Sequence, residues 1–89
     1  MSSRIGPEKR IPPIVQDLDS LHGTYFLEIA RWDSSSTPSP SSVLSSGDGL
    51  VFAWSNGGYG TQFAIARASA HIAVRTYVSG FWSAWELLA

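Results

Sequence analysis

The sequence predicts a small all-β domain, mainly antiparallel, with one short N-terminal helical turn. At 89 residues the chain has room for a single domain with a small core. Apolar residues make up 44% of it and include four Trp, three Tyr and four Phe, so a core can form although no cysteine is present to form disulfides. Short stretches of alternating apolar and polar residues, separated by Gly, Asn and Ser, are typical of strands joined by turns.

Residues 1–14 are rich in Pro, Ser and charge, and their prolines remove backbone donors. We expect an arm or linker here, followed by a domain over residues 15–89. Proline-rich arms often lie across a neighbouring subunit, and a frayed tail is the alternative. The candidate anchors for such an arm are Ile5, Ile11 and Ile14.

The domain opens with residues 17–21, where Asp and Ser side chains can cap one short helical turn. Gly23 then allows a sharp entry into a first strand over residues 24–30. Tyr25, Leu27 and Ile29 fall on one face of that strand by period two.

Residues 33–46 are dominated by Ser, Thr and Pro and offer little apolar surface. We expect a mobile surface loop. The second strand follows at residues 50–54, with Leu50, Phe52 and Trp54 on one face.

A tight hairpin turn is predicted at residues 56–58, because Asn-Gly-Gly accepts positive φ. It leads into a third strand over residues 61–66. A fourth strand over residues 71–78 alternates cleanly, which indicates a sheet face that is half solvated or meets a second layer. Residues 81–88 are too apolar to remain free, so we expect them to dock on the sheet.

The charge balance excludes several partners. Six Lys and Arg against seven Asp and Glu give a net charge of −1, so no basic field attracts nucleic acid or anionic lipid. The apolar runs are far shorter than the ~20 residues that span a bilayer. We therefore expect no nucleic-acid binding and no membrane insertion.

The sequence gives little support for a catalytic site. His22 and His71 are the available histidine bases, neither stands in a recognisable setting, and no G-x-S-x-G elbow is present. The acidic residues fall mostly in predicted turns, and no short His spacing indicates a metal site. We expect no catalytic residue, metal or cofactor, while a small glycan hydrolase or lyase remains the alternative.

The four tryptophans raise the question of sugar recognition, because flat aromatic faces stack on sugar rings. Those near loops are the candidates that a ligand can reach: Trp32, Trp54 and the neighbouring Tyr59. Trp82 and Trp85 fit packing roles better. Exposed aromatics also mark subunit contacts, so a protein interface is an equal alternative.

Three segments carry a resemblance to a known family. They are Asp17-Leu18-Asp19-Ser20-Leu21-His22-Gly23-Thr24-Tyr25, then Gly49-Leu50-Val51-Phe52 after a Pro-containing loop, and finally Ile72-Ala73-Val74-Arg75-Thr76-Tyr77 with Gly80-Phe81-Trp82-Ser83-Ala84-Trp85-Glu86-Leu87. The last resembles the G-x-W-S-x-W-x-x-L ending of pyocin knob domains from bacteriophage tail fibres. The resemblance covers residues 15–88.

The resemblance implies a non-enzymatic virion protein, made in the host cytoplasm, that forms a homotrimer and contacts other virion proteins. It implies a tail-fibre, tail-tip or decoration role, with a bacterial surface glycan as ligand. Arg75 then stacks on Trp82 or Trp85, and Gly80 forms the turn. In that family a long shaft precedes the knob, whereas residues 1–15 precede it here. A fibre fragment and a small assembly or adaptor protein docked through its arm both remain open.

Overall fold

A computed structural model describes residues 12–89, so Ile5 and Ile11 of the predicted arm lie outside the described residues. The elements are a 3-10 helix (Leu18–Ser20), β1 (Glu28–Asp33), α1 (Ser41–Leu44), β2 (Asp48–Ser55), β3 (Tyr59–Ala66), β4 (Ile72–Val78), β5 (Phe81–Trp82) and β6 (Glu86–Leu87). Every strand pair is antiparallel. The predicted fold class is confirmed.

The strands lie in the order β1-β2-β3-β4-β5, and β6 also pairs with β4. The β2–β3 hairpin forms where the sequence predicts it. Gly57 adopts φ 96°, and the Asn56 Oδ1 accepts hydrogen bonds from the Gly58 and Tyr59 amides at 3.1 and 2.9 Å. The closing segment docks on β4, also as predicted.

The sheet has two unlike faces because successive side chains point to opposite sides. We call one the covered face; it is buried and consists of Ala30, Trp32, Val51, Ala53, Gln62, Ala64, Ala66, Ala73 and Arg75. We call the other the open face; it is half-buried or exposed and consists of Ile29, Arg31, Leu50, Phe52, Trp54, Phe63, Ile65, Ile72 and Val74.

Two non-strand segments lie over the covered face. The first contains the 3-10 helix, which the Asp17 Oδ1 caps by accepting from the Asp19 amide at 3.0 Å. Leu18 and Leu21 of this segment are buried, as is Leu44 of α1. The core therefore lies between the small residues of the sheet and the large residues of these segments.

The second covering segment corrects a prediction. Residues 33–46 lie only partly on the surface, because Ser36, Pro40 and Leu44 are buried in them. The Ser36 Oγ donates to the Val15 carbonyl at 2.6 Å, and the Thr37 amide donates to the Gln16 carbonyl at 2.7 Å. Short hydroxyl side chains satisfy buried carbonyls here, so a Ser-rich segment can pack.

The first strand also begins later than predicted, at Glu28. The Phe26 amide donates to the Gly23 carbonyl at 3.0 Å, and Tyr25 has φ 60°, so the chain turns there before it extends. The Glu28 Oε1 accepts from the Gly23 amide at 3.1 Å and fixes this turn. Tyr25, Phe26 and Leu27 consequently project into solvent.

Candidate functional site

Arg75 forms the centre of the closing motif. It is 2% exposed and lies on the covered face of β4. Its Nε donates to the Gln62 Oε1 at 2.9 Å, and its Nη1 donates to the Asp19 Oδ1 at 2.8 Å. The Gln62 Nε2 in turn donates to the Leu18 and Leu21 carbonyls, each at 2.7 Å. This network ties two strands to the 3-10 helix.

The indole rings of the closing segment hold the guanidinium in place. Its central carbon lies 4.2 Å from the ring centre of Trp82 and 5.0 Å from that of Trp85. The Trp82 Nε1 donates to the Asp19 carbonyl at 3.2 Å, and the Trp85 Nε1 donates to the Pro38 carbonyl at 2.8 Å. Gly80, at φ 95°, makes the turn that brings both rings back over β4. We call this assembly of Arg75, Trp82 and Trp85 the closing clamp.

Burial lowers the pKa of Arg75 below its ordinary value, while the hydrogen bond and charge of Asp19 act in the opposite direction. The Nη2 is buried and has no hydrogen-bond partner among the described residues. Stacking on two indole faces offsets that missing bond. Since the guanidinium is enclosed, the clamp is structural and offers no charge to an external ligand.

The open face is an ordered apolar surface. Strand register aligns Ile29, Phe52, Phe63 and Val74 in one row across four strands. A second row, nearer the Asp33 end, consists of Arg31, Leu50, Ile65 and Ile72. Apart from Arg31, at the outer strand, these two rows are uncharged. No described segment of the chain lies over them.

Aromatic residues cluster where three turns meet at one end of the sheet. Tyr59 is 61% exposed and pairs in register with Val78, which pairs with Phe81, 78% exposed. Tyr25, 73% exposed, reaches the same end, because its amide donates to the Ser55 carbonyl at 2.7 Å. We call Tyr25, Trp54, Tyr59 and Phe81 the aromatic end.

The structure separates the three predicted ligand residues. Trp54 and Tyr59 lie together at the aromatic end, whereas Trp32 is 1% exposed and its Nε1 donates to the Ile65 carbonyl at 3.3 Å. Trp32 therefore belongs to the core. Sequence reasoning missed Tyr25 and Phe81, although each lies next to a turn that contains a glycine.

A cavity of about 450 Å³ opens at the other end of the sheet. Ile14, Leu50 and Ile65 give it an apolar floor, and Arg31, Asp33, Asp48 and Arg67 surround it. The Arg67 Nε contacts both Asp48 carboxylate oxygens, at 2.9 and 3.1 Å. Ile14 reaches this place because it bridges Arg31 at the edge of β1.

The two histidines lie in separate settings. His22 packs against Tyr77 and Trp82, with ring centres 4.9 and 5.6 Å apart, and the His71 Nδ1 lies 3.2 Å from the Ala89 carbonyl. Within residues 12–89, no group of three or more His, Cys, Asp or Glu is placed to hold a metal ion. In the same range, no helix is long and apolar enough to cross a membrane.

Comparison with known proteins adds no relative. No family model matches the chain, and no significant match occurs among curated proteins or solved structures. The resemblance to knob domains therefore depends on the motif residues themselves, of which the closing clamp is the most specific part.

Proposed function

We propose that this chain is a non-enzymatic bacteriophage virion protein, a tail-fibre knob, tail tip or decoration, that assembles as a homotrimer through its open face. The closing motif supports the knob assignment, and the open face is the observation that carries the self-association. Its rows of Phe, Ile, Leu and Val side chains would leave water on contact with another copy, at about 25 cal/mol per Å² of apolar area. Contiguous exposed apolar patches of this kind mark protein interfaces.

The composition of the face supports a protein partner. Interfaces concentrate aromatic residues and exclude charge from their centre. Phe52 and Phe63 lie at the centre of the open face, whereas Arg31 lies at its margin. Copies that pack around a three-fold axis bring the same residues of each chain together at that axis, so one apolar face can serve all three copies.

The non-enzymatic part of the proposal is supported by the settings of the histidines. His22 is packed among aromatic rings, and His71 contacts a backbone carbonyl. Neither arrangement pairs an imidazole with a hydroxyl nucleophile and an orienting carboxylate, as nucleophilic catalysis requires.

The test is the molar mass of the purified full chain by light scattering, before and after Phe63→Glu. A carboxylate in the central row should disfavour burial of the face, so the variant should be monomeric and folded where the parent chain is a trimer. Ser42→Glu, at an exposed position of α1, is the matched control and should leave the mass unchanged. A folded parent chain that is monomeric at all concentrations contradicts the proposal.

The aromatic end favours a second function, binding of a host surface glycan. Tyr25, Tyr59 and Phe81 expose most of their surface at one place, and aromatic faces stack on sugar rings. Tyr59→Ala and Trp54→Ala should each abolish cell-surface binding without loss of fold. Ser42→Ala, an exposed change on α1, should have no effect. Unchanged binding in both aromatic variants rules out this platform.

In the adaptor alternative, the chain docks on another virion protein through its N-terminal arm. Ile14 is exposed beside the cavity, and it is the described member of the three predicted anchors. If the chain docks on another virion protein through its arm alone, removal of residues 1–11 should prevent incorporation into particles while Phe63→Glu should not. Incorporation of the truncated chain counts against this alternative.

A further inference from the structure

We propose that the aromatic end binds an extended, neutral glycan and discriminates against acidic glycans. This inference rests on the proposed glycan binding and names the class of ligand for that same site. It is carried by three properties of the aromatic end: the charge of the surrounding segments, the connections between their turns and the spacing of the rings.

The segments that meet at the aromatic end contain no Asp, Glu, Lys or Arg; they are residues 20–27, 49–66 and 76–85. Of the charged residues that border them, Asp48 and Arg67 pair with each other at the cavity, and Arg75 is enclosed by the closing clamp. The Glu28 carboxylate accepts from the Gly23 amide at 3.1 Å. The described residues therefore bring no accessible cation to this end of the sheet.

An anionic ligand is disfavoured at such a surface. Binding removes water from its carboxylate or phosphate groups, which is costly unless a positive group or hydrogen-bond donors replace that water. The faces of aromatic rings carry partial negative charge and repel an anion further. A neutral sugar avoids both costs, and the apolar C–H side of its ring can pack on the same faces. The charge distribution therefore favours neutral over acidic glycans.

Backbone hydrogen bonds join the three turns of the aromatic end into one connected surface. The Tyr25 amide donates to the Ser55 carbonyl at 2.7 Å, and the Ser79 amide donates to the Gly58 carbonyl at 2.9 Å. Each of the outer turns is thus fastened to the central β2–β3 hairpin. A surface that is already held in place loses little conformational freedom when a ligand binds, which favours affinity for a flexible glycan.

Neutral hydrogen-bonding groups accompany the rings. The exposed Asn56 uses its Oδ1 to accept from the Gly58 and Tyr59 amides, so its side-chain nitrogen is left to donate to a ligand. A Cβ at Gly57 would lie 3.7 Å from the Tyr25 hydroxyl, which therefore lies beside the hairpin turn. Amide and hydroxyl groups match the hydroxyls of a sugar, which both donate and accept. A few such groups on an otherwise apolar site fix the orientation of a ligand.

The rings are spread across the end of the sheet. Within the described chain, no ring of the aromatic end stacks on another. The turn segments extend from Thr24, which bridges Ser55 on the outer side of β2, to Phe81 in β5. This distance covers four strand spacings, or about 19 Å in total. It exceeds the width of one sugar ring, so several units of an extended glycan can contact the aromatic end together.

The first test probes an array of purified bacterial surface polysaccharides, neutral and acidic, with the labelled full-length chain. We expect binding to neutral glycans, and the Kd for fragments of a bound glycan should fall about tenfold from disaccharide to hexasaccharide. Between about 0.05 and 0.5 M NaCl the Kd should change less than twofold, because no ion pair forms. Preference for acidic glycans, a strong salt dependence or equal affinity for short and long fragments contradicts the inference.

Two variants of Phe81 separate stacking on a ring from simple burial of apolar surface. Phe81 is 78% exposed, so neither substitution should change the fold, which circular dichroism checks. Phe81→Leu keeps an apolar side chain but has no flat face, and it should bind the neutral glycan about tenfold more weakly. Phe81→Tyr keeps the ring and should bind like the parent chain, as should the exposed control Ser42→Ala. Equal binding by the Leu and Tyr variants overturns the inference.

The outcomes separate this inference from the function on which it rests. Binding to acidic glycans that is abolished by Tyr59→Ala and Trp54→Ala overturns the inference and leaves glycan binding at the aromatic end. Absence of binding across the whole array overturns glycan binding and the inference together. Binding to phosphatidylcholine vesicles that persists in Phe81→Leu would assign the aromatic end to a lipid surface and would also overturn the inference.

Discussion

The two faces of the sheet differ in a way that reverses the usual expectation. The covered face presents mainly small side chains, with alanines at the same register position on neighbouring strands, for example Ala64 opposite Ala73. The open face presents Phe52 opposite Phe63. In an isolated soluble domain the largest apolar residues are usually buried. Here the small residues admit a covering layer from the same chain, and Phe52 and Phe63 lie where residues 12–89 provide no such layer.

The difference shows how a short chain builds two surfaces from one sheet. The covering segments contribute large side chains, chiefly Leu18, Leu21 and Leu44. Most strand side chains beneath them must therefore be small. The open face has its own large side chains, which residues 12–89 leave uncovered. Substitutions on the covered face should therefore change folding stability, and those on the open face should change association.

The largest expected effect is at Arg75. Arg75→Ala leaves Gln62 and Asp19 without their partner and removes the platform under both indole rings, so it should lower the free energy of unfolding by about 3–5 kcal/mol. Urea denaturation measures this. Arg67→Ala breaks an exposed ion pair and should cost at most about 1 kcal/mol. Equal losses in the two variants would mean that the clamp does not secure the covered face.

Gly49→Ala should have the next largest effect. A Cβ at this position would collide with the Ile65 carbonyl oxygen and lie 3.0 Å from the Trp32 Nε1. The strands must separate to admit it, at a cost of about 3 kcal/mol. Gly47→Ala is the control, because a Cβ there meets nothing within 4 Å. Thermal unfolding of both variants compares them, and matching midpoints would contradict the close packing at Gly49.

Substitutions of two adjacent residues on opposite faces should differ, by a smaller amount, in their effect on the free energy of unfolding. Ala64→Leu adds bulk beneath the covering layer and should lower stability by about 1–2 kcal/mol. Phe63→Leu changes a residue that no described segment covers and should change the stability of the chain at low concentration by less than about 0.5 kcal/mol. Denaturation at low protein concentration measures both. A larger loss for Phe63→Leu would reverse the assignment of the two faces.

The smallest effect is a pH dependence at the margin of the cavity. Hydrogen bonds from the Ser35 hydroxyl and amide lower the pKa of Asp33 below its ordinary 3.8. Asp33 therefore stabilises the fold above about pH 3.8, and this contribution is lost as the pH falls through the lowered pKa. Ser35→Ala should raise the pKa in an NMR titration. Ser34→Ala is the control, and an equal pKa in the two variants would exclude the Ser35 hydroxyl as the cause.

The sequence predicts much of the local structure. The Asn-Gly-Gly turn, the alternating third and fourth strands and the docked closing segment all follow from short-range signals. Period two also identifies correctly which residues share a face. It does not reveal which face the chain covers, because that depends on where residues 33–46 fold. Their Ser and Pro content resembles that of a loop, and only the partner carbonyls of Val15 and Gln16 explain why they pack.

The site is predictable from the sequence only where it depends on short-range signals. The stacking of Arg75 is expected from the closing motif, and the structure has it on both rings. Its bonds to Gln62 and Asp19 join residues that lie far apart in sequence, so no local pattern reveals them. Trp32 was misplaced because its neighbours suggest a loop, whereas β1 continues to Asp33 and carries it into the core.

The closing clamp also determines when the covering segments are secured during folding. It joins Arg75 and Trp82 to Asp19, and Trp85 to Pro38, across 47 to 63 residues of sequence. Such long-range closure slows folding. A partly synthesised chain can form the β2–β3 hairpin before Trp82 and Trp85 are made, but it cannot yet secure the segments that cover this hairpin.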